Sequence, residues 1–270
     1  MIDNLKRIVI ATGGTGGHIF PAYSLAKYFI EKKIDVQITS DQRGLKYLSK
    51  YDELKITQIN SSTIFDKNII KLFFSIIKIF RSLIESLKFL KTNKPDLVFG
   101  MGGYSSFPVC IAAKLLKIPF IIYENNLIIG KANKYLMPLA TKIFVSQKEL
   151  DGVSKKHQDK VCEIGNIIRR EILNFQTNYL ENQKNKQLNI LVLGGSQAAK
   201  IFGERLPEIF NDCVKNNILL KIYQQCLPEQ NSFLTSFYED LNIDYEIFNF
   251  TDNILNYFNK INLAITRSGS

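Results

Sequence analysis

Histidine and cysteine are scarce in this sequence of 270 residues, which contains two histidines and four cysteines. The histidines, His18 and His157, are widely separated in the sequence, and no two cysteines form a CxxC pair. A zinc site built from these residue types is therefore not expected, and neither is a disulfide framework. The scattered cysteines are typical of a reducing compartment such as the cytoplasm. The polar segment of residues 1–7 does not resemble a signal peptide.

The motifs of several enzyme classes are also missing. We find no HExxH helix, no GxSxG nucleophile elbow and no carboxylate pair of the DxD type that would bind a metal. The formal net charge of +10 would suit nucleic acid, an anionic membrane or a phosphate-rich substrate. No basic face with interleaved aromatic residues is evident, so nucleic acid is not an expected partner. Hydrophobic residues at 46% and charged residues at 22% exclude a mainly disordered or fibrous chain.

Short β-branched runs alternate with helix-like segments along the chain. The predicted strands are Arg7–Ala11, Asp35–Thr39, Leu97–Phe99, Pro119–Tyr123, Lys142–Val145, Asn189–Leu193, Ile218–Tyr223, Tyr245–Phe248 and Leu263–Thr266. The alternation indicates an α/β fold with parallel sheets, and helices are predicted at Pro21–Lys32 and Pro108–Leu116. Polar stretches at Gln147–Ile164 and Asn174–Leu188 interrupt the pattern. We therefore predict two doubly wound, Rossmann-like domains, residues 1–160 and 161–270.

The strongest local signal is the run from Gly13 to His18, GGTGGH, directly after the first predicted strand. Its glycines allow a close approach of the backbone to a ligand, and the helix that follows has a positively polarised N-terminus that suits phosphate or a polar sugar. The run is not a P-loop, and Ile19 stands where GxGxxG needs its third glycine. His18 can take up a proton near neutral pH. A tight turn without a ligand, with a purely structural histidine, is the alternative.

Four further clusters follow predicted strands or lie near the domain boundary. They are Gly100–Ser106, Glu124-Asn125-Asn126, Gly165–Arg169 and Gly194–Gln197. The glycine clusters could admit a second substrate or a diphosphate, the asparagines could bind sugar hydroxyls, and Arg169 could pair with a phosphate. The alternatives are ordinary turns, a helix cap and an exposed arginine without a ligand.

A helix-like stretch at Asn68–Lys91 has a wider apolar face than a helix on a sheet usually needs. Lys71, Lys78, Arg81 and Glu85 interrupt it, so it is a poor membrane span. It is either an ordinary core helix or an interfacial helix whose apolar residues enter a membrane beside lysines that attract anionic lipid. The predicted membrane contacts are Phe73, Ile77 and Phe80.

Taken together and in this order, GGTGGH, GMGGYSSFP, ENN, GNIIR and GGSQ resemble the motifs of the MurG family of GT-B glycosyltransferases. The resemblance implies transfer of N-acetylglucosamine from UDP-N-acetylglucosamine to undecaprenyl-linked lipid I, which gives lipid II for peptidoglycan. It also implies a peripheral protein on the cytoplasmic face of the bacterial inner membrane, bound to an anionic membrane surface. No cofactor and no metal are expected.

The same resemblance implies a role for each matching residue. His18 would assist activation of the acceptor, whose 4-hydroxyl attacks the anomeric carbon with inversion as UDP leaves. Gly102, Gly103 and Tyr104 would line the acceptor side. The implied donor-binding residues are Thr15, Gly16, Gly17, Asn126, Arg169, Ser196 and Thr251.

Four residues depart from the family motifs. Tyr123 and Asn125 replace the histidine and the glutamine of HEQN, Ala198 replaces a glycine of GGSQGA, and Thr251 replaces an apolar residue. The alanine is costly only where φ is positive. The second predicted domain is shorter than the domain-size prior of roughly 150 residues, so we expect a C-terminally truncated family member whose activity is open.

Two alternative functions remain at this point. A nicotinamide-dependent oxidoreductase would use Asp41 as its ribose-binding acid, with Arg43 nearby. A non-catalytic, membrane-associated remnant would keep only the acceptor half of the fold.

Overall fold

The computed structural model describes residues 5–59, 69–176, 187–195, 198–251 and 253–267. Contacts divide the chain into two units, the first ending at Arg170 and the second comprising residues 171–269. Each unit contains one sheet, and every strand pair in both sheets is parallel. The predicted α/β class is therefore confirmed.

The first unit has a seven-stranded sheet of order β3-β2-β1-β4-β5-β6-β7. The strands are β1 (Arg7–Ala11), β2 (Asp35–Ser40), β3 (Lys55–Gln58), β4 (Leu97–Gly100), β5 (Phe120–Glu124), β6 (Lys142–Val145) and β7 (Val161–Glu163). The helices are α1 (Gly16–Glu31), α2 (Gln42–Leu48), α3 (Ile69–Asn93), α4 (Ser106–Leu115), α5 (Lys131–Leu136) and α6 (Arg170–Leu173), which crosses the boundary. The strand order reverses between β1 and β4, where doubly wound sheets bind their ligands.

The alternating side chains of β1 build the two cores of this unit. Ile8 and Ile10 pack against α1 and α2 on one face of the sheet. Val9 and Ala11 pack against α3, α4 and α5 on the other face. A strand that is buried on both faces must be apolar at every position, which explains the sequence RIVIA.

The second unit has a four-stranded sheet of order β10-β9-β8-β11. Its strands are β8 (Leu188–Leu193), β9 (Leu220–Gln225), β10 (Asp244–Phe248) and β11 (Leu263–Thr266). Its helices are α7 (Lys200–Lys215), α8 (Asn231–Asp240) and α9 (Leu255–Phe258). Its loop after the central strand β8 corresponds in topology to the loop after β1.

The predicted boundary at residue 160 and the observed division at residue 170 differ for a structural reason. The polar stretch Gln147–Ile164 contains β7, which was not predicted and which pairs with β6. Ile167 N then donates to the Tyr123 hydroxyl at 3.2 Å, and that hydroxyl donates to the Gly165 carbonyl at 3.3 Å. These contacts keep residues 161–170 with the first unit.

The helix predicted at Pro21–Lys32 begins five residues earlier, at Gly16, and Pro21 lies inside it. A proline inside a helix leaves the carbonyl four residues before it without its usual donor. Here that carbonyl belongs to Gly17, and the Asn125 side-chain amide donates to it at 2.9 Å. The tertiary contact therefore compensates the helix for its proline.

Among the side chains of α3 that the structure describes, residues 73–93, the buried ones lie in the C-terminal half of the helix. Leu83, Leu87 and Leu90 pack in the core with α4, whereas Phe73, Ile77 and Phe80 are 62%, 40% and 62% exposed. The interpretation of Asn68–Lys91 as an ordinary core helix is therefore wrong for these three side chains. Within the described ranges, no helix is both long enough and apolar enough to cross a membrane.

Candidate functional site

The loops that follow β1 and β4 touch at the point where the strand order reverses. Gly102 and Gly103 have φ of +91° and +78°, in the left-handed region that favours glycine. A Cβ on Gly102 would lie 2.6 Å from His18 Nδ1, and one on Gly103 would lie 2.5 Å from the Gly13 carbonyl oxygen. Both positions therefore need glycine for its conformation and for its size.

A cavity of about 170 Å³ opens beside these loops. It brings together His18, Gly102, Gly103, Tyr104 and Asn126, which the sequence had singled out. The other residues that line it are Glu124, Gly130, Lys131, Ala132 and Asn133. The lining thus comes from the first turn of α1, the loop after β4, the end of β5 and the start of α5.

Sequence reasoning missed Asn133 and gave Glu124 no role beyond the ENN motif. Glu124 is buried, and Oε1 accepts from the Asn126 amide nitrogen at 3.1 Å and from Asn126 Nδ2 at 2.7 Å. Its Oε2 accepts from Gly130 N at 2.8 Å and from Asn133 Nδ2 at 3.0 Å. The carboxylate therefore orients both cavity asparagines. The signal available in the sequence was an acidic residue directly after a predicted strand.

His18 lies in the first turn of α1 and faces this cavity. Burial lowers the pKa of its imidazole below the ordinary value, and the nearby Glu124 carboxylate and the Met101 main chain oppose the shift without reversing it. Nδ1 is buried and has no hydrogen-bond partner among the described residues. The His18 carbonyl accepts from Thr12 Oγ1 at 3.0 Å. Burial therefore favours the neutral form of the His18 imidazole, and the main chain of the residue is held by Thr12.

Thr15, Gly16 and Gly17 begin α1 next to the cavity, but they are not part of its lining as described. Thr15 is exposed at the N-cap position. The Gly17 carbonyl is the one held by Asn125. The side chain of Arg169 lies over the Phe20 ring of α1, with Cζ 5.1 Å from the ring centroid. Arg169 is thus brought to the helix that carries His18, although not into the cavity.

In the second unit, Gly194 and Gly195 follow β8 as predicted, and Ser196 lies outside the described residues. The Gly194 amide donates to Gln225 Oε1 at 3.1 Å. Ala198 has a φ of +44°. The replacement of glycine by alanine at this position therefore falls in the conformation where it is costly. Thr251 is half-buried, and its Oγ1 accepts from Asn253 N at 3.2 Å.

The Asp41 carboxylate, on which the oxidoreductase alternative depended, is not available to a ribose. It is 8% exposed and accepts from Gly14 N, Gly44 N and the Arg43 guanidinium. Among the described residues, no group of three His, Cys, Asp or Glu side chains could hold a metal ion.

Comparison with known protein families gives two matches. Residues 8–145 match the glycosyltransferase family 28 N-terminal domain, and residues 189–270 match the C-terminal domain of the same family. Curated relatives include a protein of Pelagibacter ubique, 36% identical over 98% of this chain and 72% of its own length. Another, of Rickettsia bellii, is 32% identical over 98% of this chain and 74% of its own length. Both are named UDP-N-acetylglucosamine--N-acetylmuramyl-(pentapeptide) pyrophosphoryl-undecaprenol N-acetylglucosamine transferase.

The chain belongs to the MurG family of glycosyltransferases. Among solved structures, MurG of Acinetobacter baumannii has a TM-score of 0.72 at 27% identity, over 98% of this chain and 74% of that one. A UDP-GlcNAc 2-epimerase of Neisseria meningitidis has a TM-score of 0.62 at 16% identity, over 97% of this chain and 78% of that one. The epimerase supports the fold alone. The chain thus has the GT-B fold of the MurG family, and it spans about three-quarters of the length of these relatives.

Proposed function

We propose that the chain transfers N-acetylglucosamine from UDP-N-acetylglucosamine to the N-acetylmuramyl-(pentapeptide) pyrophosphoryl-undecaprenol acceptor, a step of peptidoglycan synthesis. The observation that carries this proposal is the relative that is 36% identical over 98% of the chain and bears the name of this transferase. The cavity beside the first turn of α1 supports it, because a half-buried histidine with a lowered pKa and two asparagines oriented by Glu124 suit a sugar hydroxyl and its proton.

His18 acts in this proposal as the general base. The acceptor hydroxyl oxygen forms a bond to the anomeric carbon as the bond from that carbon to the diphosphate oxygen breaks. The hydroxyl proton passes to the His18 imidazole, and the electron pair of the broken bond leaves with UDP. A pKa lowered by burial supports this role, because the imidazole is then unprotonated and able to accept the proton at neutral pH.

The two substrates are assigned to different residues. We assign Gly102, Gly103 and Tyr104 to the acceptor, since they line the cavity beside His18. Asn126, held by Glu124, is assigned to the donor sugar. The remaining donor contacts are proposed to be Thr15, Gly16, Gly17, Arg169, Ser196 and Thr251. The loop after β8, with its neutral hydrogen-bond acceptor Gln225, is proposed for the diphosphate.

The lipid-linked acceptor favours a location at the cytoplasmic face of the bacterial inner membrane, and the N-terminal half of α3 is proposed to bind that surface. Besides Phe73, Ile77 and Phe80, the residues Phe74 and Ile76 are exposed there. Lys78 and Arg81 are exposed on the same helix and would attract anionic lipid, at about 1 kcal/mol for each basic group. A helix with this combination lies in the membrane interface rather than across it.

Replacement of His18 by alanine tests the catalytic proposal. We expect turnover, measured as UDP release from UDP-N-acetylglucosamine in the presence of a lipid I analogue, to fall by about 10²–10⁴. His157→Ala is the matched control, because it removes the other histidine, which lies in the short helical turn Lys155–Lys160. Activity of His18→Ala near that of the control would remove His18 from the mechanism. If the unchanged chain gave no turnover but bound vesicles, the non-catalytic interpretation would be favoured.

Co-sedimentation with vesicles of phosphatidylglycerol and phosphatidylethanolamine tests the membrane proposal. Replacement of Phe73, Ile77 and Phe80 by serine should release the protein from the vesicles. The matched control replaces Ile209, Leu219 and Phe233 of the second unit, which are 54%, 63% and 56% exposed, and binding should persist. Equal loss in both triple variants would mean that the binding is nonspecific.

A further inference from the structure

Asp41 is a buried acid that the proposed reaction does not use. It directly follows β2 and is the N-cap of α2, where its Oδ1 accepts from Gly44 N at 3.0 Å. The same oxygen also accepts from Gly14 N at 3.0 Å. The second bond does not belong to the cap, because it reaches back to the glycine loop after β1. Asp41 therefore connects α2 to the loop from which α1 and His18 begin.

The loop is held from two sides. A Cβ on Gly13 would lie 1.9 Å from Ser105 Oγ and 3.0 Å from Asp41 Oδ1, so the main chain passes between these two side chains. Ser105 Oγ donates to the Thr12 carbonyl at 2.7 Å, and it is buried. Gly14 has a φ of +88°, in a conformation that few other residues adopt. The Asp41 carboxylate is thus the hydrogen-bond partner of the Gly14 amide, which belongs to the residue of this turn with a positive φ.

The charge of Asp41 is balanced on its second oxygen. Arg43 Nε and Nη2 donate to Oδ2 at 3.0 and 2.8 Å. Burial alone would raise the pKa of this carboxyl group, but the amides of Gly14 and Gly44 and the Arg43 guanidinium together hold it below the ordinary value. The carboxylate is therefore ionised at pH 7, and all of its contacts favour one orientation.

We propose that Asp41 is a positioning residue for the transferase: it holds the Gly13–Gly14 turn and thereby fixes the start of α1, with His18, against the cavity. The inference rests on the proposed function for its catalytic consequence. Its structural part, the bond from Gly14 N to Asp41, can be measured without any turnover. A displacement of about 1 Å in a catalytic group can reduce a rate by up to about a hundredfold, so a loop bond is sufficient to matter.

Two substitutions separate the loop contact from the helix cap. Asp41→Ser keeps a good N-cap for α2, but its hydroxyl is one bond shorter and does not reach both Gly44 N and Gly14 N. Asp41→Asn keeps an oxygen that accepts from both amides. It loses the charge and the acceptor of Arg43, because Nδ2 is a donor, but Arg43 is exposed and can turn to water. Leu48→Val is the matched control, since it loosens α2 at a fully buried position without touching the loop.

We expect Asp41→Ser to lower kcat/KM at least about tenfold with little change in Tm, and Asp41→Asn to stay within about threefold of the unchanged chain. Hydrogen exchange of the Gly14 amide should be at least about tenfold faster in Asp41→Ser and nearly unchanged in Asp41→Asn and Leu48→Val. Faster exchange in Asp41→Ser with wild-type kcat/KM would overturn the positioning role. Unchanged exchange in Asp41→Ser would overturn the loop contact itself, whether or not the chain proves to be a transferase.

Discussion

The glycine turns of the two units are held by side chains that differ in charge. Each unit places two glycines after its first strand, and each holds the amide of that turn with an oxygen from the end of the neighbouring strand. In the first unit, Gly14 N donates to the Asp41 carboxylate at 3.0 Å. In the second, Gly194 N donates to the neutral amide oxygen of Gln225 at 3.1 Å. In both units the turn follows a strand in the interior of a parallel sheet. A main-chain amide that is shielded from water there needs a hydrogen-bond acceptor.

The difference in charge teaches which ligand each loop can accept. A negative side chain beneath a turn opposes a diphosphate, although the Arg43 guanidinium offsets part of the charge of Asp41. A neutral side chain leaves the polarised N-terminus of the following helix unopposed. This difference supports the proposal that the diphosphate of UDP binds to the second unit. The half-buried His18 supports the proposal that the first unit binds the hydroxyl group that reacts.

The largest expected effect comes from adding a methyl group to one glycine of each unit. Gly103→Ala would meet the Gly13 carbonyl at 2.5 Å and has a φ of +78°, so we expect a loss of about 2–5 kcal/mol in the free energy of unfolding. Gly195 has a φ of +82° but no atom of a described residue near its added Cβ, so Gly195→Ala should lose only about 1–2 kcal/mol. Urea denaturation checks both values. Equal losses would mean that the two loops of the first unit are not in contact.

The next largest effect is expected when the neutral side chain beneath the turn of the second unit is made negative. Gln225→Glu puts a negative charge beneath the turn of the second unit. At about 8 Å and an effective dielectric constant of about 20, one charge pair contributes about 2 kcal/mol, or a factor of about thirty in affinity. We expect UDP to bind about thirtyfold more weakly, measured by calorimetry, while Gln225→Met should change the stability without this salt-dependent loss. A loss of affinity that does not shrink at high salt would argue against a charge effect.

The pH dependence of kcat/KM should be controlled by His18 of the first unit. The pKa of His18 is lowered by burial, and the proposed mechanism uses the neutral imidazole as the base. As pH falls below that pKa the imidazole becomes protonated, so kcat/KM should drop about tenfold for each further pH unit. The midpoint is expected below the ordinary value of 6.5. A midpoint above 6.5 would contradict a desolvated histidine as the base.

The smallest effect concerns Ala198 in the second unit. Its φ of +44° strains an alanine, so Ala198→Gly should raise the free energy of unfolding by about 0.5 kcal/mol once the greater freedom of glycine in the unfolded chain is subtracted. Lys94, with a φ of +45° in the first unit, is the matched position, and Lys94→Gly should gain a similar amount. A loss of stability in both variants would show that the backbone tolerates these conformations without strain.

Local sequence patterns were sufficient to predict most strands of the two sheets. β1, β6 and β11 have the predicted bounds, since short apolar runs that contain β-branched residues and are bounded by polar segments are typical of strands. β3 and β7 were missed, because short edge strands carry few apolar residues and depend on their neighbours for pairing. The start of α1 was predicted five residues too late, because proline is favoured at the first position of a helix and disfavoured inside one. The hydrogen bond from the distant Asn125 side chain to Gly17 offsets this preference.

The sequence by itself determined the α/β class, the family motifs and the identity of His18 and Asn126 as candidate site residues, because these depend on local residue patterns. The tertiary structure alone decided that His18 is half-buried near Glu124 and that Asp41 is bound to Gly14 rather than open to a ribose. It also decided that Phe73 and Phe80 are exposed while Leu87 is not. The physical reason is the distance along the chain. Burial, pKa and hydrogen-bond partners are set by residues that are remote in sequence, and folding brings these together at the ends of the parallel strands.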